Sequence, residues 1–240
     1  MPFSQSAHLY DAIYGKERDY ASQAAAIADW ILRRNGEASS LLDVACGTGL
    51  HLSHLGDRFQ AAGVDVSQAM VGQAQKRNPA ARIERGDMRS FRLGCRFDAV
   101  TCMFSSITYT GTVDGLNQTL KNFADHLNPG GVCIVEPYLT PQSWDDAHGP
   151  GLRTARNEEF TVALVDRAVR NGRDIQREIA YAVASADATH LFREMHEFRL
   201  FTSEEYTAAF RGAGFDVTFD ARGFDAARGM YFGTLVDRST

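Results

Sequence analysis

The fold of this chain is decided by one stretch, Asp43-Val44-Ala45-Cys46-Gly47-Thr48-Gly49. It closes the apolar run 39–45 and leads into the helix-forming segment 50–59. The two glycines let backbone approach a ligand where a strand turns into a helix. A dinucleotide-binding turn needs a third glycine or alanine three positions later, and that position is Leu52. The turn therefore predicts a nucleoside cofactor without a pyrophosphate, rather than a nicotinamide or flavin dinucleotide.

Strands alternate with helices on both sides of this turn. Such alternation predicts an α/β fold with a doubly wound, mostly parallel sheet of seven strands, whose binding crevice lies at the carboxyl ends of the strands. The predicted strands are 39–45, 62–66, 81–85, 97–104, 131–137, 215–219 and 230–236, and the main helices are 20–34, 50–59, 68–77 and 113–127.

The pattern changes between residues 138 and 201. The segments 160–170, 174–185 and 190–201 are rich in β-branched and aromatic residues and predict an inserted antiparallel layer. Thr202 then supplies a helix N-cap, with Glu205 at the capping-box position, and the α/β pattern resumes. We therefore expect one domain over residues 1–240, with an inserted antiparallel substrate-binding layer at 138–201.

Composition narrows the classes of partner. With 44% hydrophobic and 23% charged residues, the 240-residue chain has the balance of a globular protein. The net charge of -5, with scattered Lys and Arg, argues against nucleic acid as a partner. No apolar stretch is long enough for a signal peptide or a membrane span, so we expect a cytoplasmic location and no membrane partner. The four cysteines lack C-x-x-C spacing, which indicates reduced, structural thiols, and no metal site is predicted.

Polar residues follow the second and third predicted strands. Asp65 lies about twenty residues beyond the glycine turn, where a carboxylate can accept hydrogen bonds from both ribose hydroxyls. The alternative is a helix cap, which Ser67 could also provide. Asp87 can accept from an exocyclic amine, and Met88 offers a thioether to a flat ring, a pair that suits adenine. Met103 and Phe104 are expected to line the same crevice, although core packing would also explain them.

In these features the chain resembles the class I S-adenosylmethionine-dependent methyltransferases, which have a Rossmann-like sheet. More narrowly, it resembles bacterial N,N-dimethyltransferases of dTDP-linked amino sugars, which serve deoxysugar biosynthesis for antibiotics. The stretches that carry this narrower resemblance are Tyr10-Asp11 with Tyr14, 40–49, Gly86-Asp87-Met88-Arg89, Cys102-Met103-Phe104-Ser105-Ser106, Glu136-Pro137 and Arg228-Gly229.

The resemblance implies a set of site residues and a small-molecule acceptor, a nucleotide-linked amino sugar. Around S-adenosylmethionine it implies Asp43, Ala45, Gly47, Gly49, Asp65, Ser67, Asp87, Met88 and Met103. Tyr14 would lie beside the acceptor amine and orient it as the candidate catalytic residue, while Arg228 would reach the substrate diphosphate. Tyr20 and Arg177 are further candidate substrate-binding residues.

Other interpretations share parts of this pattern. An O- or C-methyltransferase of another small metabolite would use the same cofactor site, and a non-catalytic sensor of S-adenosylmethionine would need no acceptor pocket. Tyr109 and His126 are weaker catalytic candidates, because a loop tyrosine usually packs and a lone histidine late in a helix is usually at the surface or the helix end. An exposed apolar side of the inserted layer would favour a homodimer.

Overall fold

Two sheets organise the computed structural model, which describes residues 3–15, 18–145 and 149–236. The strands are β1 (Ser40–Val44), β2 (Gln60–Asp65), β3 (Arg82–Arg85), β4 (Phe97–Cys102), β5 (Leu127–Val135), β6 (Gly151–Arg156), β7 (Phe160–Asn171), β8 (Asp174–Ser185), β9 (Thr189–Arg199), β10 (Phe215–Asp220) and β11 (Met230–Leu235). The helices are α1 (Tyr10–Tyr14), α2 (Tyr20–Arg34), α3 (Leu50–Leu55), α4 (Gln68–Arg77), α5 (Val113–Asp125) and α6 (Ser203–Gly212), with a short 3₁₀ helix at Ser106–Thr110.

The larger sheet has seven strands in the order β10-β11-β5-β4-β1-β2-β3. β1 pairs in parallel with β2 and β4, and only β11 runs antiparallel to its neighbours β5 and β10. Four of the five residues of β1 are buried, as expected for a central strand covered on both faces. The predicted doubly wound, mostly parallel sheet of seven strands is confirmed.

Helices cover both faces of this sheet, and they leave the carboxyl ends of its parallel strands uncovered. One apolar cluster packs α5 and α6 on one face, and a second packs α2, α3 and α4 on the other. The capping box at the start of α6 is present as predicted: Thr202 Oγ1 accepts from the Glu205 N–H, and the Glu205 carboxylate accepts from the Thr202 N–H. In the three described ranges, no helix combines the length and apolarity needed to cross a membrane.

The smaller sheet is antiparallel, in the order β6-β7-β8-β9. β6 was not predicted: its Arg-rich sequence alternates half-buried and exposed residues and lacks the apolar positions that identified its neighbours. The inner face of this sheet packs against the N-terminal helix α1, where Leu9, Ile13 and Tyr14 meet Val162 and Ile179. α1 therefore lies at the junction of the two sheets.

Two boundaries differ from the sequence prediction by four residues, whereas the other predicted boundaries differ by two residues or fewer. α3 ends at Leu55 instead of residue 59, with Gly56 as its C-cap. β5 begins at Leu127 instead of residue 131, because the predicted entry turn at 128–131 lies within the strand as an irregularity in its pairing with β4. All four cysteines are free, and Cys95 is exposed whereas the other three are buried.

Candidate active site

The glycine turn after β1 is held open by an unusual backbone. Ala45 and Gly47 have φ values of 58° and 56°, in the left-handed region that glycine tolerates and alanine adopts only under strain. The Gly47 N–H donates to Asp65 Oδ2 at 2.9 Å, which connects the turn to the end of β2. A Cβ added at Gly47 would meet nothing within 4 Å, so the turn faces open space.

Asp65 connects this turn to the next helix. Its Oδ1 accepts from the Ser67 N–H at 2.8 Å, while Ser67 Oγ caps α4 by accepting from the Met70 N–H. Burial raises the pKa of Asp65, although the hydrogen bonds from Ser67 and Gly47 oppose that shift. Each carboxylate oxygen has capacity for a further hydrogen bond, so Asp65 can still accept from a ligand.

The turn opens into a cavity of about 560 Å³, here called the glycine-turn pocket. This volume is typical of a site for a small molecule or cofactor. Of the residues predicted for the cofactor or substrate, the pocket is lined by Asp43, Ala45, Gly47, Asp65, Asp87, Met88, Met103 and Tyr20. Gly49 and Ser67 lie outside this lining, because they begin α3 and α4.

Leu52 occupies the position where a dinucleotide fold places its third glycine. Its side chain is 1% exposed and approaches the backbone of β2 at Gly63. A Cβ at Gly63 would lie 2.7 Å from Leu52 Cδ1 and 2.9 Å from Cys46 Sγ. The large residue is therefore on the helix and the glycine on the strand, so α3 packs against β2 through a leucine.

A second cavity of about 1170 Å³, the inserted-sheet pocket, lies between the two sheets. It is lined by Tyr14, Arg177 and Arg228, three residues predicted for the acceptor. Arg177 Nε donates to Asp166 Oδ2 at 2.7 Å. Arg228 contacts Asp225 at 3.2 Å and lies 3.7 Å from Glu136, with a 3.3 Å hydrogen bond to Ser105 Oγ.

The carboxylate of Glu136 lies behind the inserted-sheet pocket and holds two residues that line it, Arg18 and Phe104. Glu136 is 0% exposed, follows β5 and accepts two hydrogen bonds from Arg18 Nη1, at 3.0 and 3.2 Å. It also accepts from the Phe104 N–H at 2.8 Å, and the Arg18 guanidinium lies 3.9 Å from the centre of the Phe104 ring. Phe104 and Ser105 both have positive φ, so strained backbone again borders a cavity.

The two pockets meet. Both are lined by Phe3, Tyr10, Phe104, Ser106 and Tyr109. Asp11 fixes the N-terminal segment to the glycine turn by accepting from Thr48 Oγ1 at 2.6 Å, and it pairs with Arg77 at 2.5 Å. Groups bound in the two pockets can therefore come into contact where the pockets join, next to the N-terminal segment.

Two site residues were missed from the sequence. Arg18 precedes α2 in a polar stretch with no motif around it, and its contacts with Glu136 and Phe104 reveal it. His51 lies in α3, where no motif marks it, and it lines the glycine-turn pocket. Burial lowers the pKa of His51 to about 3, so its ring is neutral where it meets Gln23 Oε1 at 3.0 Å.

The two weaker catalytic candidates have different environments. His126 is 3% exposed and is the C-cap of α5, so of the two expected positions, the surface and the helix end, it occupies the helix end. Its Nδ1 lies 2.8 Å from the Asn122 carbonyl, and its Nε2 accepts from the Leu93 N–H, so both ring nitrogens serve the fold. Tyr109, expected to pack in a loop, lines both pockets.

The buried Asp43 predicts a pH dependence of stability in the ligand-free protein. Burial raises the pKa of Asp43 to about 7, with a contribution from Asp65, and the hydrogen bond from Thr101 opposes the shift. Because the folded pKa lies above the unfolded one, this contribution to stability is complete below about pH 4 and is lost as pH rises through about 7. Asp43→Asn removes this titration. The free energy of unfolding of the variant, relative to that of the wild type, should therefore increase as pH rises from about 5 to 8, by about 1.4 kcal/mol per pH unit at most.

Asp98→Asn is the matched control for this experiment. Burial raises the pKa of Asp98, but hydrogen bonds from Ser39, Asn128 and Ser40 outweigh that effect and lower it to about 2. Stability from such a group is present above its unfolded pKa and is lost only as pH falls, so the deficit of Asp98→Asn should be constant from about pH 5 to 8. Denaturant titrations at several pH values measure both variants. A constant difference for Asp43→Asn would contradict the titration.

Comparison with known proteins places this geometry in a family. Residues 41–131 match the model of a methyltransferase domain. The chain is 42% identical to a dTDP-3-amino-3,4,6-trideoxy-alpha-D-glucopyranose N,N-dimethyltransferase of Streptomyces venezuelae, covering 95% of this chain and 96% of that protein. It is 43% identical to a dTDP-3-amino-3,6-dideoxy-alpha-D-glucopyranose N,N-dimethyltransferase of Streptomyces fradiae, covering 95% and 89% of the two chains.

A solved structure supports the same assignment. The S-adenosylmethionine-bound amino pentose methyltransferase CalS10 of Micromonospora echinaspora superposes with a TM-score of 0.80 at 37% identity, over 92% of this chain and 93% of that one. The seven-stranded sheet and the glycine-turn pocket at its carboxyl edge agree with that likeness. The chain belongs to the S-adenosylmethionine-dependent methyltransferases, in the family of the dTDP-amino-sugar N,N-dimethyltransferases.

Proposed function

We propose that this enzyme transfers two methyl groups, one at a time, from S-adenosylmethionine to the amino group of a dTDP-linked amino sugar in antibiotic deoxysugar biosynthesis. The observation that carries the proposal is the meeting of the glycine-turn pocket with the larger, arginine-lined inserted-sheet pocket. The names of the relatives at 42% and 43% identity supply the acceptor class.

The residues of the glycine-turn pocket fit the cofactor. Asp65 keeps acceptor capacity for ribose hydroxyls, and Asp87 lies beside Met88 where an adenine would need an acceptor and a polarisable contact. The hydrogen bond from Arg89 is the main cause that lowers the pKa of Asp87, so its carboxylate is ionised and ready to accept. Leu52 against Gly63 packs the helix tightly where a pyrophosphate turn would need room.

S-adenosylmethionine, when bound, supplies an electrophilic methyl group on a sulfonium, and no covalent intermediate on the protein is needed. The chain then has to align the acceptor, and well-held reactants can gain about 7 to 11 kcal/mol from orientation. We assign to Tyr14 the orientation of the amine, since it is 6% exposed and lines the inserted-sheet pocket. Arg177 and Arg228 would hold the polar part of the acceptor, and the inserted layer 138–201 would form its substrate-binding wall.

The function is tested by the time course of methylation. Purified enzyme with S-adenosylmethionine and a dTDP-amino sugar should give a monomethyl product that rises and then falls, because the secondary amine formed first is still nucleophilic. Mass spectrometry follows both products. Product stalled at one methyl group, or a methyl group on oxygen, would contradict dimethylation and leave the methyltransferase assignment standing.

Asp65→Ala should weaken binding of S-adenosylmethionine at least about tenfold, because charge-assisted hydrogen bonds contribute about 1.5 to 3 kcal/mol each. Calorimetric titration measures the affinity, and thermal melting checks the fold. Asp57→Ala, the same change at an exposed aspartate, is the control and should bind like the wild type. An unchanged affinity in Asp65→Ala would leave Asp65 as a connector between the glycine turn and α4.

Arg228→Ala should raise the KM for the dTDP-amino sugar more than it lowers kcat, because a remote diphosphate anchor binds the ground state and the transition state alike. Steady-state kinetics with saturating S-adenosylmethionine measure both constants. Arg222→Ala is the matched control: Arg222 belongs to the same β10–β11 connection but is 91% exposed. A fall in kcat at unchanged KM would place Arg228 at the reacting amine instead.

We also propose that a second copy of the chain covers the outer face of the smaller sheet. That face carries the exposed residues Leu152, Val165, Val169 and Leu191, at 69%, 52%, 50% and 77% exposure. The small side chains of Ala180 and Ala182 lie between them and leave the face flat. Sedimentation should give a dimer for the wild type and a monomer for Val165→Glu; a monomeric wild type would refute the proposal.

The cytoplasmic location stays a prediction from the sequence.

A further inference from the structure

Two ionisable side chains on β9 are buried against the site. Glu194 is 5% exposed and His196 is 1% exposed, and they are two residues apart, so both face the inner side of the smaller sheet. Buried charged groups are rare unless hydrogen bonds compensate them. These residues are therefore candidates for a role beyond packing.

A continuous set of contacts runs from these two residues to the junction of the pockets. Tyr109 Oη lies 2.9 Å from His196 Nδ1, and His196 Nε2 lies 3.5 Å from Glu194 Oε2. The Glu194 carboxylate also accepts from the Gln5 N–H at 2.8 Å, and from the Ser6 N–H and Oγ at 3.2 and 2.8 Å. Tyr109 is the member of this set that lines both pockets.

The directions of these hydrogen bonds follow from the charge on Glu194. Burial raises the pKa of Glu194, but hydrogen bonds from His196, Gln5 and Ser6 outweigh it and lower the pKa to about 2. An ionised carboxylate only accepts, so Nε2 of His196 carries the hydrogen that faces Glu194, and Nδ1 is the ring nitrogen left to accept from Tyr109. Tyr109 therefore donates its hydroxyl proton to His196, and its oxygen lone pairs remain available to a ligand.

Tyr109 cannot serve as a base by being ionised beforehand. Burial raises its pKa well above the ordinary value, and the nearby Arg177 only partly offsets that effect. The phenol therefore stays protonated and can take up a proton only if it passes its own on. Other groups that face it are Tyr10, Tyr14, Tyr138 and Tyr181, and Arg177 is itself paired with Asp166.

We propose that Tyr109, His196 and Glu194 form a relay that removes the proton from the acceptor amine. The inference rests on the proposed amine methylation. The ammonium N–H proton moves to Tyr109 Oη as the Tyr109 hydroxyl proton moves to His196 Nδ1. The amine keeps the electron pair of its broken N–H bond, with which it attacks the methyl group. His196 becomes an imidazolium beside the Glu194 carboxylate, and after product release the proton returns through Tyr109 to solvent.

In this assignment Tyr109 touches the acceptor, whereas His196 and Glu194 are positioning residues. Positioned proton transfer contributes about 10²-fold or more to rates. This proton transfer is no longer needed when the acceptor amine is already unprotonated, as it is at high pH. The relay therefore predicts that the rate lost on removing the Tyr109 hydroxyl depends on pH, whereas a purely structural role for Tyr109 predicts a loss that does not.

The test compares Tyr109→Phe with the wild type across pH. At about pH 7 the variant should lose at least about tenfold in kcat/KM for the dTDP-amino sugar. At about pH 10, near the ordinary pKa of an alkylammonium, the loss should shrink to less than about threefold. Tyr206→Phe, the same change at a tyrosine of α6 that is buried in the core, should match the wild type at both pH values. Equal rates for Tyr109→Phe and wild type at about pH 7, or an equal loss at both pH values, would overturn the relay.

A second measurement does not depend on turnover. NMR of isotope-labelled histidine should show His196 as the Nε2–H tautomer in the wild type, and Tyr109→Phe should shift the Nδ1 resonance by removing its hydrogen-bond donor. An unshifted resonance would refute the contact. His196→Gln should reproduce the pH-dependent loss if it folds, as judged by melting and by S-adenosylmethionine binding; a folded His196→Gln with wild-type rates would count against the relay.

Failure of the relay is distinguishable from failure of the proposed function. A wild-type enzyme that dimethylates the sugar, beside a Tyr109→Phe variant that matches it at about pH 7, removes the relay and keeps the function. A wild-type enzyme that binds S-adenosylmethionine but leaves every dTDP-amino sugar unmethylated removes the acceptor assignment, and with it the relay.

Discussion

The position of the N-terminal segment, residues 3–15, is the constraint on which both pockets depend. Two carboxylates hold it from opposite sides: Asp11 joins it to the glycine turn through Thr48, and Glu194 joins it to the smaller sheet through Ser6. Apolar packing of α1 on β7 and β8 supplies the rest of the contact. Without these contacts the glycine-turn pocket would open to solvent, and the inserted-sheet pocket would lose one wall.

The groups that surround the two pockets differ in how firmly they are held. Asp43 and Asp65 lie at the carboxyl ends of the parallel strands β1 and β2, each of which has a neighbouring strand on both sides that fixes its backbone. Tyr14 and Arg177, which we propose for the acceptor, come from a five-residue helix and from the smaller sheet. A rigid donor site beside a separately built acceptor wall suits a family in which one reaction serves different sugars, because the wall can vary without disturbing the sheet.

The sequence predicted those parts of the molecule that local chemistry determines. The glycine turn, the strand ends at Asp65 and Asp87 and the capping box at Thr202 were recognisable because short-range backbone requirements select their residues. Arg18, His51 and the contact of Tyr109 with His196 were not, because their partners are 28 to 118 residues away in the chain. β6 was missed for a different reason: as an edge strand with two arginines among its six residues, it lacks the apolar pattern that identifies buried strands.

Phe3 and Tyr10 belong to the N-terminal segment and cover both pockets, which has a consequence for the order of events in a double methylation. Phe3 and Tyr10 line both cavities. If the cofactor binds in the glycine-turn pocket and the sugar in the inserted-sheet pocket, as we propose, then an opening that releases spent cofactor also uncovers the sugar. The enzyme is therefore expected to be distributive rather than processive, with the half-finished sugar returning to solution between transfers. Final product yield then depends on how well the enzyme rebinds its own intermediate in competition with fresh substrate.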